Sequence, residues 1–240
     1  MKKHLITFII VLVSISSNAQ NWWGSNKIKG NSITKTRTIP SFDKVYVNGS
    51  FNVNLIDGNK GTITLKGEEN ILSFIETYVK KGLLIIKFKE NTNINTMNNL
   101  IITVPFQSIK KASLNGSGNL NIKKTIKSDI ISFDLNGSGN ITAHVNTNIV
   151  KTSISGSGNI NLTGSTSSFE NSLVGSGSLK AYNLNTQYLK ANITGSGSMK
   201  TTVNKEITGK ITGSGSICYK GYPKNIKVKS IGSGDIVDKN

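Results

Sequence analysis

From about residue 110 to the C-terminus, apolar and polar positions alternate with a period of two on either side of a recurring Gly-Ser-Gly. The tripeptide opens at Gly116, Gly137, Gly156, Gly175, Gly195, Gly213 and Gly232 and closes at Gly118, Gly139, Gly158, Gly177, Gly197, Gly215 and Gly234, so the copies follow one another at a near-constant step. Two positions before each first glycine stand Leu114, Leu135, Ile154, Leu173, Ile193 and Ile211, and only Ser230 breaks that column. Two positions after each second glycine stand Leu120, Ile141, Ile160, Leu179, Met199, Ile217 and Ile236. Period-two alternation around a glycine corner predicts two short strands per repeat, each with one buried face. A period of about 19 residues predicts a solenoid in which no coil buries its apolar face alone and stacking completes the core. Glycine is expected at the corner because the backbone turns there through positive φ or passes close to the next coil.

The residue directly after the tripeptide is Asn119, Asn140 and Asn159, then Ser178, Ser198 and Ser216, then Asp235. Stacking is expected to turn the three asparagines into a hydrogen-bonded ladder. A degenerate copy of the repeat precedes the regular ones, with Val45 and Val47 before Gly49-Ser50 and Phe51, Val53 and Leu55 after it. Ile63 and Leu65 continue as a strand, Glu69 to Val79 reads as a helical turn followed by a strand, and Lys80-Lys81-Gly82 predicts a hairpin into Leu83 to Phe88. Asn91 to Asn99 reads as a polar loop before a strand over Leu100 to Val104 that Pro105 closes.

The N-terminal stretch over 1–19 breaks this pattern. Lys2 and Lys3 precede an apolar run from Leu5 to Ile15 and a small-residue end at Ala19, which predicts a secretory signal peptide cut after Ala19. No cysteine follows the cut, so no lipoprotein anchor is expected, and no later stretch approaches the ~20 apolar residues of a membrane-spanning helix. The expected organisation is therefore a leader over 1–19, an N-terminal segment over 20–40 and an irregular β region over 41–110 that covers the solenoid. The repeat solenoid itself occupies 111–240. Trp22 and Trp23 are expected to pack against the solenoid end, with stacking on sugar rings as the alternative.

Charge adds a surface to this scaffold. The chain carries 29 basic and 12 acidic residues, a net +17, and loss of Lys2 and Lys3 with the leader leaves +15. Such a surface attracts anionic polysaccharide, lipid phosphates and nucleic acid without specificity, and no motif for specific nucleic-acid recognition is present. Five positions before the first glycines stand Lys111, Ser132, Lys151, Glu170, Lys190, Thr208 and Lys227. These offsets face outward, so the lysines are expected to share a stripe with alternate-coil spacing of roughly 10 Å, thickened towards the C-terminus by Lys180, Lys200, Lys210 and Lys229. The stripe is a candidate ligand surface; the alternative is a solvated face whose lysines resist sheet association.

Catalytic chemistry is not expected. Gly-Ser-Gly-Asn lacks the third glycine and following helix of a dinucleotide loop, and calcium-binding repeats need an aspartate in every turn, whereas only Asp235 follows a tripeptide. Asp129, Asp134, Glu170, Glu206, Asp235 and Asp238 fall in different columns, Arg37 precedes the solenoid, and His144 is the one histidine beyond the leader. No metal site, cofactor site or nucleophile–base set is assembled by these positions. Cys218 has no intramolecular disulfide partner.

Several of these features together resemble the head GIN domain family, the autotransporter adhesins of Bacteroidetes-type bacteria. The resemblance rests on the leader, Phe42-Asp43-Lys44-Val45, Val47-Asn48-Gly49-Ser50-Phe51-Asn52-Val53, Thr103-Val104-Pro105 and the serial Gly-Ser-Gly motifs. It implies a right-handed parallel β-helix, all-β, in which the tripeptides turn tightly between two sheets, with a role in cell adhesion and no catalytic residues. The chain ends at Asn240 without a translocator barrel, so display at a surface is expected to use another route. The expected function is thus an exported adhesin-like or structural protein at the cell surface or in the periplasm, with cell-surface glycans or other envelope components as partners. A polysaccharide-active enzyme on a β-helix scaffold is the alternative, and self-association through the solenoid's faces or ends is the third possibility.

Overall fold

Strict alternation interrupted by glycine favours extended chain over helix, and the described residues of the computed structural model, 31–90 and 100–240, form strands with a single helical turn. The expected leader over 1–19, Trp22 and Trp23, and the expected loop over 91–99 lie outside the described residues. The first part of the chain comprises β1 (Ser32–Thr38), β2 (Lys44–Asn48), β3 (Asn52–Asp57), β4 (Thr62–Glu68), α1 (Glu69–Leu72), β5 (Ile75–Lys80), β6 (Leu83–Phe88) and β7 (Ile101–Phe106). The repeats form β8 (Lys111–Gly116), β9 (Asn119–Ile122), β10 (Ile126–Gly137), β11 (Asn140–Gly156), β12 (Asn159–Gly175), β13 (Ser178–Gly195), β14 (Ser198–Gly213), β15 (Ser216–Lys220), β16 (Asn225–Ile231) and β17 (Asp235–Asp238).

From β8 onward every pairing is parallel, and the register places Leu135 on Leu114 and beneath Ile154, Leu173, Ile193 and Ile211. The long strands each serve two sheets. In β11, Asn140–Thr142 pair with Asn119–Asn121 of β9, whereas Ile149–Gly156 pair with Ile130–Gly137 of β10. A coil therefore has two straight halves, one corner at Gly-Ser-Gly and a second at mid-strand, where Thr147, Thr166 and Thr186 are buried. Between the sheets lie aliphatic ladders closed by Phe133 and Phe169, both fully buried. Each such side chain contributes about 1.5–3 kcal/mol of transfer free energy, which lets a stack without any disulfide offset its ordering entropy.

The tripeptide corner is closed by backbone. Gly137 has φ +114°, and a Cβ there would stand 2.6 Å from the Gly116 carbonyl oxygen. The reason for that approach is hydrogen bonding between coils: Ser138 and Gly139 N–H donate to the Gly116 oxygen at 3.2 and 3.0 Å, and Asn140 N–H donates to the Gly118 oxygen at 2.9 Å. Side chains at either glycine would push the coils apart.

The region over 41–110 does more than cover the first coil. β2 and β3 pair in parallel with β8 and β9, so Val47 stacks on Leu114 and Val53 on Leu120, and Gly49-Ser50-Phe51 occupies the tripeptide position. Phe51 takes the second glycine's place with its ring fully buried, 4.4 Å from the Phe88 ring centroid. β6 and β7 form a further parallel layer on the other side of β2 and β3. Only β1, β4 and β5 run antiparallel to their neighbours, and with α1 they close this end. The expected helical turn and the hairpin at Lys81 (φ +49°) and Gly82 (φ +74°) are present. Pro105 does not end its strand: β7 continues to Phe106. β4 pairs with β7 only as far as Thr103, so Pro105 lies where one ladder has already stopped and a missing N–H is tolerated.

Candidate functional site

The outward column of lysines forms as the spacing requires. Lys111, Ser132, Lys151, Glu170, Lys190, Thr208 and Lys227 are paired in register along one sheet, and Lys44 of β2 extends the column beyond Lys111. Its lysines differ in charge balance. Lys111 Nζ lies 2.6 Å from Asp134 Oδ2, and Lys151 Nζ lies 3.1 Å from Glu170 Oε2. Glu170 stands in register between Lys151 and Lys190, and its ion pair is with Lys151. Among the described residues Lys44, Lys190 and Lys227 make no ion pair. Beside Lys190 and Lys227, Lys210 and Lys229 sit opposite one another in register two positions further along the same face. Lys190, Lys210, Lys227 and Lys229 thus occupy neighbouring positions on β13, β14 and β16. Glu206, two positions before Thr208 on that face, makes no ion pair among the described residues either.

Lys180 and Lys200 do not join this stripe. They pair with each other in the half-coils that follow Gly-Ser-Gly, and so stand on the outer face of the other sheet, in line with Cys218. The expectation failed because period two fixes whether a residue points in or out but not which side of the tripeptide corner, hence which sheet, it belongs to. Lys220, on that second face, lies over the Tyr182 ring at 5.2 Å. Burial pushes the Tyr182 hydroxyl above its ordinary pKa, with Cys218 adding to the effect.

The asparagine ladder is present and longer than expected. Asn119 donates to Asn52 at 2.7 Å, Asn140 to Asn119 at 2.9 Å and Asn159 to Asn140 at 3.0 Å. Asn52 follows the degenerate tripeptide at the same offset as the others, and that offset was the signal for it. These amides bond one another across coils.

The mid-strand corner holds a feature the glycine-centred alignment passed over. Asn146, Ser165 and Asn185 pair in register on successive strands, and Asn204, displaced by a bulge that puts Thr202 opposite Asn185, reaches Asn185 through its side chain. They form one wall of a trough of about 480 Å³, with Asn148, Ser167, Gln187 and Lys205 as the other wall and Thr147 and Thr166 between. The carboxylates lie elsewhere: Asp129 accepts from Asn148 Nδ2 at 2.6 Å beside the trough, Asp134 and Glu170 hold lysines, and Asp238 accepts from the Tyr219 hydroxyl at 3.1 Å. His144 Nδ1 lies 2.8 Å from Thr163 Oγ1. Among the described residues no three His, Cys, Asp or Glu side chains converge on a common point.

This combination of a parallel solenoid with Gly-Ser-Gly corners and an inserted β2–β3 layer has known counterparts. The family described as "Putative auto-transporter adhesin, head GIN domain" matches residues 41–223. The chain belongs to the head GIN domain family. The matched stretch takes in the antiparallel closure from β2 onward and every coil except the last, so Lys227 and Lys229 lie beyond it. This head GIN chain is similar in fold to a crystal structure described as a putative adhesin from Bacteroides fragilis, with a TM-score of 0.80, 22% identity and coverage of 87% of this chain and 97% of that one. It is also similar to a putative adhesin from Parabacteroides merdae, with a TM-score of 0.72, 22% identity and coverage of 88% and 98%. A structure described as a putative lipid binding protein from Parabacteroides distasonis is 26% identical, with a TM-score of 0.68 and coverage of 88% and 98%. No curated protein matches the chain.

Proposed function

We propose that this head GIN chain is an exported, non-catalytic attachment protein whose basic C-terminal face engages an anionic glycan of a cell surface or another envelope component. The leader-like stretch over 1–19 and membership of an adhesin family support export. The observation that carries the reading is the cluster at the C-terminal end of one face: Lys111 and Lys151 are held by carboxylates, whereas Lys190, Lys210, Lys227 and Lys229 neighbour one another with no ion pair among the described residues. Like charges directly opposite on adjacent strands are destabilising, and an anionic polymer relieves that repulsion on binding. The enzyme alternative needs two carboxylates facing one cleft. Asp129, Asp134 and Glu170 are instead each bonded to a different neighbour, which supports attachment over turnover.

The test is a glycan array with residues 20–240 at low and physiological salt, beside a Lys190→Ala, Lys210→Ala, Lys227→Ala variant. Saturable binding of a sulfated or uronic-acid glycan, weakened roughly tenfold or more in the variant, is expected. Equal, salt-abolished binding of every polyanion by both proteins would reduce the lysines to a solubilising role. Binding to anionic lipid vesicles but to no glycan would replace the ligand class.

A further inference from the structure

The trough at the mid-strand corner is built differently from the lysine face. Coils advance by about 4.8 Å, and the trough spans the five layers from Ser128 to Asn204, a run of roughly 19 Å at that spacing. Its volume of about 480 Å³ lies within the range of ligand sites. Amides and hydroxyls from successive coils make up both walls, and Lys205 at one end is the single charged residue lining it.

The walls are partly bonded along their length, which fixes their shape. Ser165 donates to Asn146 Oδ1 at 3.2 Å and Asn204 Nδ2 to Asn185 Oδ1 at 2.5 Å. Thr166 in the floor is held by the Asn148 and Ser168 carbonyls at 3.1 and 3.0 Å. These bonds use one side of each amide. Among the described residues Asn146 and Asn185 keep their own Nδ2 donors, and Ser167 and Gln187 make no side-chain hydrogen bond. Tyr188, 45% exposed, follows Gln187 in the chain, and Lys205 Nζ lies over its ring at 5.4 Å.

We infer that this trough binds an uncharged, extended polysaccharide strand lying along the solenoid axis. An amide offers a donor and an acceptor side by side, which matches the vicinal hydroxyls of a pyranose ring. A row of polar side chains advancing with the coils matches a chain of rings of similar rise. Polymers rich in carboxylate or sulfate gain little here, because only Lys205 offers a positive charge. The lysine face begins just beyond this corner, Lys151 and Lys190 following Asn148 and Gln187 by three positions, but it lies on the outer surface of one sheet and does not line the trough.

The experiment titrates residues 20–240 with cellohexaose and with chitohexaose, by calorimetry at 0.05 M and 0.5 M NaCl. Saturable binding of at least one of them, unchanged by salt, is expected. Two variants separate the sites. Ser167→Tyr with Gln187→Ala fills the trough and removes a free amide, both at exposed positions that leave the core alone, and should weaken the hexasaccharide at least about tenfold. The Lys190, Lys210, Lys227 triple-alanine variant should bind it as the parent does. Circular dichroism confirms that both variants are folded. Absence of binding by both hexasaccharides, binding abolished by salt, or binding lost in the lysine variant and kept in the trough variant each overturns the inference, while the anionic-glycan reading is decided separately by the glycan array.

Discussion

A methyl group is the unit of intolerance at the Gly-Ser-Gly corner. A Cβ on Gly158 would stand 2.6 Å from the Gly139 oxygen and 2.7 Å from Leu135 Cδ2, whereas Ser157 between the two glycines is not buried. Gly158→Ala is expected to lower stability by roughly 1–3 kcal/mol, and Ser157→Ala by no more than about 0.5 kcal/mol. Urea denaturation of both measures the difference, and coincident midpoints would show that the corner yields. At this scale the sequence was most informative where position alone decides. The offset after the tripeptide located the asparagine rungs without any knowledge of the turn. It was least informative where a polar residue occupies an inward position. Thr152 and Asn171 keep the alternation, face the core and bond each other at 2.8 Å, while Asn171 Nδ2 has no partner among the described residues. Residue type argued for the surface and periodicity for the interior, and periodicity won because a one-residue slip would turn a whole half-coil inside out.

Among the elements, the two ends of the stack are held by different means. Arg37 on β1 donates to the Leu72 and Ile75 carbonyls at 3.0 and 2.7 Å and to Thr77 Oγ1 at 3.0 Å, which ties the helical turn to the edge strand. At the other end Asp238 of β17 accepts from Asn240 N–H at 3.0 Å, from Asn240 Nδ2 at 2.8 Å and from the Tyr219 hydroxyl at 3.1 Å. The Asn240 backbone bond foremost, with help from Tyr219, holds the Asp238 carboxyl below its usual range. A depressed folded-state pKa contributes stability above the unfolded value and loses it as pH falls through the folded value. Acidification below the ordinary carboxylate range is therefore expected to release the last strand before the coils. Protection of the Lys239 amide, which donates to the Tyr219 carbonyl at 2.8 Å, should fall over that interval and be low at all pH in Asp238→Asn. Constant protection in the parent protein would remove Asp238 from this role. Neither clasp was legible in the sequence, since each joins residues whose proximity depends on how an irregular end folds back.

Over the whole molecule, equivalence of coils predicts modularity. Excising residues 159–177 would join Gly158 to Ser178 and lay β11 directly on β13 in the same register. Stability in such arrays is approximately a sum of neighbour interfaces, so the shortened chain should keep its β circular-dichroism spectrum and melt less than about 10 °C lower. Loss of the folded state would mean that the coils are not interchangeable. They do differ in charge: residues 176–240 carry ten lysines and three acids, and every ion pair among the described residues lies before them. Repeat period, stacking and the lysine excess towards the C-terminus were visible in the chain, but which lysines carboxylates hold depends on the sheet and neighbour each one has.

The β2–β3 layer has a consequence for the timing of assembly. Most coils contact the one that follows directly in the chain, and can zip together as they appear. The β2–β3 layer is different: Asn48 and Asn52 meet Asn115 and Asn119, in each case 67 residues later in the chain. Long closures slow folding. A chain emerging N-terminus first from a ribosome or a translocation pore therefore presents strands whose permanent neighbours have not yet arrived. β6 and β7 can seat one side of that layer early, but its other side stays open until the first true Gly-Ser-Gly coil, β8 and β9, has cleared the exit.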